Sequence, residues 1–562
     1  MTTSGICELF GFAQRRRRKN GGAGITSGWK MACALLVLCV ACAIESPAQT
    51  FRILNNLNTS GPSSPLVQGL DGNFYRTTRS GGASNQGAVF KMTPSGLMTT
   101  FHSFDGTDGA IPVGLIQATD GNFYGATYSG GNQNPACYPF FDQRCGTAFR
   151  ITPSGAFTTL HSFNGTDGAN PESRLIQATD GNFYGTTSMG GAYYRGTVFK
   201  ITPEGTLTTL YSFDGTDGAY PVGLIQATNG NFYGTTSGTV FKITPSGTLT
   251  TLHSFCSWNG CPDGDYPTGL VQAADGNFYG TTDAGGAIGD GTVFKITPSG
   301  TLTKLHDFHP ADGVRPQELV QGTDGNFYGT TALGGANRYS CSLNSCGTIF
   351  RITPSGTLTT LHSFDGNDGE GPWGALMQAT NGTFYGTTGW GGPHGSGTVF
   401  SLCVGLGWFT EELPNYGKVG ATIDILGTNL TGASHVTFNG ISAPFTVVSK
   451  SVIQATVPPG AGTGYVRVML PSGRIPNNKK FRVTPQISSF TPTSGAVGTV
   501  VTITGVSLMQ TWGVTFRGVH ASFTVVDDGT VTATVPTGAT TGGIRITGPG
   551  GAVTTTTNFT VD

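Results

Sequence analysis

Charged residues are scarce in this chain: Lys, Arg, Asp and Glu make up 11% of its 562 residues, and the net charge is −1. Beyond residue 48 there are 24 basic and 29 acidic residues, so most of the chain is mildly acidic. Proteins that bind nucleic acids usually carry a positive excess, because they neutralise phosphates. The composition therefore argues against nucleic acid as a general partner.

Amphipathic helical periodicity is absent between residues 50 and 404, and the chain has no G-x-S-x-G, H-E-x-x-H or Walker A signature and no dinucleotide-binding fingerprint before a helix. Glycine is abundant instead, at 89 residues, together with short runs that alternate apolar and polar positions. Such runs, bounded by Gly, Pro, Asn or Asp, predict strands joined by tight turns. The chain is therefore predicted to be all-β.

One phrase, [Asp/Asn]-Gly-[Asn/Thr]-Phe-Tyr, occurs seven times. Its tyrosines are Tyr75, Tyr124, Tyr184, Tyr233, Tyr279, Tyr328 and Tyr385. A period of 46 to 60 residues with four short apolar runs per unit is typical of β-propeller blades. The seventh unit stops after its third run, Gly397–Val404, and an additional run, Thr50–Leu57, precedes the first unit. Pairing these two runs would remove exposed strand edges, so residues 49–404 are predicted to form a seven-bladed β-propeller.

Two related stretches follow, at 405–484 and 485–562. Both contain a V-T-F-x-G run and an A-T-V-P run, and both show short alternating segments with regular turns. This pattern predicts two immunoglobulin-like β-sandwiches. The first stretch lacks the opening P-x-I-x-x-F-x-P phrase of the second and has Gly405–Leu413 in its place. Its first strand is therefore not defined by the sequence.

The repeat residues G-N-F-Y-G-T-T, G-T-V-F-K-I-T-P-S-G and L-H-S-F-D-G-T-D-G resemble the GloVer-type extracellular tandem repeats of bacteria. This resemblance covers about residues 50–404. The two C-terminal stretches resemble the IPT/TIG immunoglobulin-like family. The resemblance implies a secreted or cell-surface protein, and it implies no catalytic residues.

Residues 1–48 are predicted to be a signal peptide. Arg15–Lys19 is basic, Met31–Ile44 is an apolar run too short for a comfortable membrane span, and Ser46–Ala48 offers a small-residue cleavage site. No later segment is apolar enough to cross a membrane. The mature chain is therefore expected to be secreted or held at the cell surface.

Six cysteines beyond this leader form three close pairs, each in an insertion between predicted strands. The pairs are Cys137/Cys145, Cys256/Cys261 and Cys341/Cys346. Local pairs in extended loops of an exported protein predict disulfides. Zinc is the alternative, but it needs four ligands and no histidine follows at finger spacing.

Two further polar positions recur along the repeats. Each unit has a glutamine in its first strand: Gln68, Gln117, Gln177, Gln226, Gln272, Gln321 and Gln378. These amides either line a polar channel or bond to neighbouring blades. Five units have a histidine in the fourth strand: His102, His161, His253, His306 and His362. A catalytic histidine would be needed once, so these are interpreted as packing residues.

Acidic loops follow several fourth strands. They contain Asp105 and Asp108, Asp214 and Asp217, and Asp365 and Asp368. Clustered carboxylates suit Ca²⁺, which takes six to eight oxygen ligands, but Asp-Gly is also favourable turn chemistry. Both interpretations remain open, and no other cofactor is predicted.

Because strands alternate in direction within a blade, the loops between second and third strands share a side with the loops between blades. We call this side the loop face, and the opposite side, with its near-identical Asp-Gly-Asn turns, the turn face. All long insertions fall on the loop face, and variable loops on a rigid scaffold often bind ligands. The predicted binding residues there are Trp258, Trp390, Tyr138, Tyr193, Tyr194 and Tyr339.

Two functional hypotheses follow. The first is a monomeric, non-catalytic binding or adhesion protein whose loop face recognises an extracellular polysaccharide or a surface protein. The second is an extracellular carbohydrate-active enzyme, a glycoside hydrolase or lyase, that uses carboxylates on the same face. The sequence singles out no catalytic pair.

Overall fold

The structure is a computed structural model that describes residues 49–57, 64–137, 144–256, 261–341, 346–477 and 479–562. These residues form strands and turns, with 3₁₀ turns at Pro135–Cys137, Arg338–Ser340 and Leu430–Gly432. The predicted all-β class is thereby confirmed. No helix within the described ranges is long and apolar enough to cross a membrane. The predicted signal peptide lies outside the described residues.

Strands of the repeat region begin with β1, which precedes the first repeat, and continue in chain order to β30. They are β1 (Thr50–Asn56), β2 (Val67–Gln68), β3 (Phe74–Thr78), β4 (Ala88–Met92), β5 (Met98–Ser103), β6 (Ala110–Gln117), β7 (Phe123–Ser129), β8 (Thr147–Ile151), β9 (Phe157–Ser162), β10 (Ala169–Pro171), β11 (Ile176–Gln177), β12 (Phe183–Met189), β13 (Thr197–Ile201), β14 (Leu207–Ser212), β15 (Gly223–Gln226), β16 (Phe232–Thr235), β17 (Thr239–Ile243), β18 (Leu249–Ser254), β19 (Asp265–Gln272), β20 (Phe278–Ala284), β21 (Thr292–Ile296), β22 (Leu302–Asp307), β23 (Val314–Pro316), β24 (Val320–Gln321), β25 (Phe327–Leu333), β26 (Thr348–Ile352), β27 (Leu358–Ser363), β28 (Met377–Gln378), β29 (Phe384–Thr387) and β30 (Thr398–Cys403).

Each repeat folds into its own small antiparallel sheet. The strand orders are β2-β3-β4-β5, β6-β7-β8-β9, β15-β16-β17-β18 and β19-β20-β21-β22, while the third and sixth repeats split the inner strand in two. The seventh sheet has the order β1-β30-β29-β28. Strand β1 pairs antiparallel with β30, from Thr50 opposite Cys403 to Asn56 opposite Thr398. The pairing predicted for the run before the first repeat is therefore present.

The Phe-Tyr pair in each repeat explains how neighbouring sheets pack. Adjacent residues of a strand point to opposite faces of the sheet, so the phenylalanine contacts the preceding repeat and the tyrosine the following one. Between the first two repeats, the rings of Tyr75 and Phe123 lie 4.2 Å apart. Between the seventh and first repeats, the rings of Tyr385 and Phe74 lie 4.5 Å apart. The same apolar contact therefore joins the last repeat to the first.

The C-terminal part contains twenty further strands. They are β31 (Glu411–Leu413), β32 (Tyr416–Gly417), β33 (Thr422–Leu426), β34 (His435–Phe438), β35 (Ile441–Ser442), β36 (Phe445–Val447), β37 (Val452–Thr456), β38 (Val466–Leu470), β39 (Gly473–Ile475), β40 (Arg482–Val483), β41 (Gln486–Thr491), β42 (Ser494–Gly495), β43 (Val500–Val506), β44 (Gly513–Phe516), β45 (Val519–His520), β46 (Phe523–Asp527), β47 (Thr530–Thr534), β48 (Ile544–Gly548), β49 (Gly551–Thr554) and β50 (Thr560–Val561).

These strands form two modules with the same topology. Each has two four-stranded sheets, β31-β33-β37-β36 with β35-β34-β38-β39, and β41-β43-β47-β46 with β45-β44-β48-β49. Each module encloses one apolar core, centred on Ile425 and Val468 in the first and on Ile503 and Ile546 in the second. The first strand that the sequence leaves undefined is β31, which is shorter than its counterpart β41 and pairs with β33.

Candidate functional site

The seven inner-strand glutamines link each repeat to the one before it. The side-chain oxygen of each glutamine accepts a backbone N–H from the turn of the preceding repeat. The bonds run from Leu70 to Gln117, Thr119 to Gln177, Thr179 to Gln226, Thr228 to Gln272, Ala274 to Gln321, Thr323 to Gln378 and Thr380 to Gln68, with lengths of 2.8 to 3.2 Å. The last bond returns from the seventh repeat to the first, so the seven bonds form a closed cycle. The glutamines therefore bond to neighbouring repeats.

The recurring histidines also have fixed partners. Their Nε2 atoms lie 2.7 to 2.9 Å from carboxylates in the loop that follows. The pairs are His102/Asp108, His161/Asp167, His253/Asp263, His306/Asp312 and His362/Asp368. In the third repeat, Tyr211 takes the place of the histidine, and its hydroxyl donates to Asp217. Sequence reasoning missed these partners, although the constant six-residue spacing in four of the five pairs was a visible signal.

The same carboxylates include the candidate calcium ligands. Asp105 accepts bonds from the Thr107 backbone and hydroxyl at 2.8 and 2.7 Å, and these bonds lower its pKa to about 2. Asp108 accepts the Asp105 N–H at 3.0 Å. Equivalent bonds hold Asp214 with Asp217 and Asp365 with Asp368. Within the described part of the chain, no group of three or more His, Cys, Asp or Glu is arranged to hold a metal ion, and calcium binding stays a prediction.

All three predicted disulfides are formed: Cys137–Cys145, Cys256–Cys261 and Cys341–Cys346. They lie on the loop face, between second and third strands in two repeats and between repeats in the other. Each closes a loop of a few residues, with Cα atoms 5.3 to 5.5 Å apart. They therefore constrain loops of the face that was predicted to bind.

The predicted aromatic residues that the structure describes are exposed on this face. Exposed fractions are 59% for Tyr193, 63% for Tyr194, 77% for Tyr339 and 46% for Trp390. Tyr138 and Trp258 lie outside the described residues. Trp390 contacts Trp373 edge-on at 6.1 Å, and Tyr339 lies 4.6 Å from the Arg338 guanidinium. The structure places these aromatics on the third, sixth and seventh repeats and does not gather them into one cluster.

A ring of variable residues that sequence reasoning missed occupies the start of the inner strands. The residue before the proline has a left-handed backbone in six repeats: Ile111, Asn170, Tyr220, Tyr266, Arg315 and Gly371, with φ between 52° and 62°. This conformation is costly for residues other than glycine. Tyr220 and Tyr266 are exposed, and Arg195 donates to the Tyr220 hydroxyl at 3.2 Å. An alignment of the seven repeats would have revealed the variability of this position.

A central cavity of about 270 Å³ lies inside the repeats. Every repeat contributes to its wall, through Pro65, Val113, Arg174, Val222, Thr268, Glu318 and Trp373. Glu172 also lines it; the residue is exposed to solvent, but the cavity wall partly desolvates its carboxyl and raises the pKa, although hydrogen bonding to Ser188 and the charge of Arg79 oppose the rise. The cavity wall thus combines apolar and uncharged polar residues with two carboxylates and one guanidinium.

The first C-terminal module contacts the turn face. Its Ser451 hydroxyl donates to the Leu70 carbonyl at 2.9 Å, and its Tyr416 hydroxyl donates to the Ala178 carbonyl at 2.8 Å. The backbone N–H of Phe409 donates to the Thr380 carbonyl at 2.9 Å. These bonds reach the first, third and seventh repeats, so part of the turn face is already occupied by the chain itself.

Comparison with known families agrees with this architecture. The profile of the Gloeobacter/Verrucomicrobia repeat matches residues 61–261 and 237–442. The chain belongs to the Gloeobacter/Verrucomicrobia repeat family. The IPT/TIG domain profile matches residues 410–483 and 485–561, which are the two C-terminal modules. A comparison of this chain with curated protein sequences found no match.

Solved structures resemble the chain weakly. A catalytically inactive virginiamycin B lyase from Staphylococcus aureus with quinupristin is 18% identical, with a TM-score of 0.46 over 63% of this chain and 99% of the lyase. A gluconolactonase from Xanthomonas campestris is 14% identical, with a TM-score of 0.33 over 52% and 90%. A fungal alcohol oxidase of the AA5 family with copper is 13% identical, with a TM-score of 0.39 over 91% and 99%. Similarity at this level says nothing about the activity of the repeat protein.

Proposed function

We propose that this protein is a secreted or cell-surface binding protein, built as a seven-bladed β-propeller followed by two immunoglobulin-like β-sandwiches. In this proposal the loop face recognises a glycan or a surface protein. The ring arrangement is supported by the closed cycle of glutamine bonds, by the β1–β30 pairing and by a cavity wall to which every repeat contributes. The three loop disulfides support export, because such bonds persist in oxidising compartments.

The observation that carries the binding role is the difference between the two faces. The loop face presents Tyr193, Tyr194, Tyr339 and Trp390 to solvent, whereas the turn face is in part covered by the first sandwich. Large aromatic side chains bury much apolar area at small entropic cost, and sugars and protein partners both exploit this. A binding protein of this design needs no catalytic group on the loop face.

Screening the purified protein on arrays of bacterial and plant polysaccharides, and against surface-protein extracts, tests the proposal. For any ligand found, the Trp390→Ala and Tyr193→Ala/Tyr194→Ala variants should lose binding, by roughly 2 kcal/mol or more for a true anchor. Trp512→Ala is the matched control, because Trp512 is equally exposed but belongs to the second sandwich. Asn277→Ala is a control on the turn face. Binding that survives every loop-face variant and disappears in Asn277→Ala would show that the ligand binds the turn face, against the proposal.

An enzymatic role is the second candidate, and one observation favours it. Glu172 and Glu318 line the same cavity, and partial desolvation by its wall raises the pKa of the Glu172 carboxyl, the direction that suits a general acid. Glycoside hydrolysis uses such a pair of carboxyl groups. The array ligands should therefore also be analysed for cleavage products. Cleavage that disappears in Glu172→Gln and Glu318→Gln would establish an enzyme. Ligands that stay intact would count against the enzymatic role and support binding without catalysis.

A further inference from the structure

The central cavity carries two charges at equivalent positions of different repeats. One residue stands directly before the core leucine of each inner strand: Pro65, Gly114, Arg174, Gly223, Gly269, Glu318 and Ala375. Arg174 and Glu318 are the charged members of this set, in the third and sixth repeats. In the ring of seven defined by the glutamine bonds, three steps separate these repeats in one direction and four in the other. The two charged residues therefore stand on nearly opposite walls of the cavity.

The repeat that precedes each charged residue leaves space for it. A Cβ atom at Gly114 would lie 2.9 Å from the Arg174 Cβ, and one at Gly269 would lie 2.7 Å from the Glu318 carboxyl carbon. Distances this short are not tolerated without movement of the neighbour. The base of the Arg174 side chain thus packs against Gly114, and the carboxyl group of Glu318 rests against Gly269, which limits the positions that this carboxylate can take in the cavity.

Neither charged side chain has a partner among the described residues. No hydrogen bond or ion pair joins the Arg174 or Glu318 side chain to another residue in the ranges that the structure describes. The nearby cation Lys479 of the first sandwich pairs with Glu411 at 2.6 Å, and its pKa, raised mainly by that carboxylate, is slightly lowered by the charge of Arg174. Arg174 and Glu318 are both accessible from the cavity. A ligand could pair with both.

We propose that the cavity binds a small zwitterion, a molecule of the amino-acid class that places a carboxylate against Arg174 and an ammonium group against Glu318. A guanidinium can hold a carboxylate through two parallel hydrogen bonds. Glu172, two residues from Arg174 on the third repeat, adds a second carboxylate to the wall, on the side away from Glu318. The volume of about 270 Å³ suits one small molecule rather than a polymer. This site goes beyond the recognition proposed for the loop face and uses different residues.

Titration calorimetry on the full chain tests the proposal with a graded series of ω-amino acids: glycine, 4-aminobutyrate and 6-aminohexanoate. The matched single-charge controls are butyrate, hexanoate, butylamine and hexylamine. At least one zwitterion should bind tenfold or more tightly than the acid and the amine of the same length, because each control leaves one wall unpaired. Equal binding of zwitterions and controls, or no binding of either, would overturn the proposal.

Variants of the two charges assign the site. Arg174→Gln and Glu318→Gln should each weaken binding of the best zwitterion at least tenfold, and the exchange Arg174→Glu/Glu318→Arg should recover part of it. Gly269→Ala should weaken binding by displacing Glu318. Glu204→Gln, in an exposed turn, should bind as wild type. Circular dichroism checks that each variant is folded. Folded Arg174→Gln and Glu318→Gln proteins with unchanged affinity would contradict the assignment, whatever the glycan arrays show.

Discussion

The side-chain oxygen of Gln68 accepts the backbone N–H of Thr380 at 2.9 Å, which joins two residues 312 positions apart. The same type of bond holds Gln226 to Thr179 in the middle of the array, also at 2.9 Å. One local interaction is therefore used both between consecutive repeats and between the ends of the array. The contribution of this hydrogen bond to the free energy of unfolding can be measured at either place.

Replacing Gln68 by alanine should destabilise the protein by about 1–3 kcal/mol, because a backbone N–H that is shielded from water loses its acceptor. Gln226→Ala is the matched control, and the two costs should be similar. Chemical denaturation followed by tryptophan fluorescence measures both. If Gln226→Ala is destabilising and Gln68→Ala is neutral, the ends of the array are not held together by this bond in solution.

Deleting residues 50–57 should lower the melting temperature of the whole repeat region. The deletion removes β1, exposes the edge of β30 and removes Phe51, whose ring stacks on His362 at 3.8 Å. Phe51→Ala should show a smaller loss, whereas Ile53→Ala should be close to neutral, because Ile53 is 40% exposed. Differential scanning calorimetry is the measurement. An unchanged transition in the deletion variant would count against ring closure by this strand.

Peptide mapping without reduction should recover Cys137–Cys145, Cys256–Cys261 and Cys341–Cys346 as linked pairs. The expectation rests on the bonds in the structure and on the export proposed above, because disulfides persist in oxidising compartments. Free thiols at these positions in protein exported by its native host would refute it.

Substituting Arg76 by methionine should stabilise the protein by about 1–3 kcal/mol. Arg76 is 1% exposed and its guanidinium nitrogens have no hydrogen-bond partner among the residues that the structure describes, whereas the other six repeats have glycine at this position. A buried charge without a partner is costly, and burial lowers the pKa of this guanidinium to about 9. Arg52→Met, at an exposed site, is the control. A loss of stability in Arg76→Met would show that this arginine has a partner or a function.

Stability should fall as the pH rises from about 4.5 to 8 because of Glu412 in the first C-terminal module. Burial raises the pKa of Glu412 from 4.5 to about 8, although the bond from Asn477 opposes the rise. Between these values the Glu412 carboxyl is ionised in the unfolded chain and protonated in the folded one, so stability is lost with increasing pH. Glu412→Gln should remove this part of the pH dependence of the unfolding free energy. Glu204→Gln, at an exposed site, should leave it unchanged.

The strands and their order could be read from the sequence because each is coded locally. Tyr75 and its six counterparts mark the second strand of every repeat, and Gly/Asn/Asp turns mark its ends. The run Thr50–Leu57 showed which strand completes the last sheet, because the seventh repeat lacks its own fourth strand. Disulfides were predictable for the same reason, since the members of each pair are close in sequence. The class and arrangement of strands were thus fixed by local patterns.

The candidate sites depended on residues far apart in the chain. Nothing in the sequence pairs Arg174 with Glu318, because only the ring of repeats brings their strands to opposite walls of one cavity. The left-handed Tyr220 and Tyr266, the unpaired Arg76 and the first sandwich on the turn face are likewise results of packing between repeats. Local propensity selects strands and turns within a repeat, whereas contacts between repeats decide which polar groups are satisfied and which remain available to a ligand.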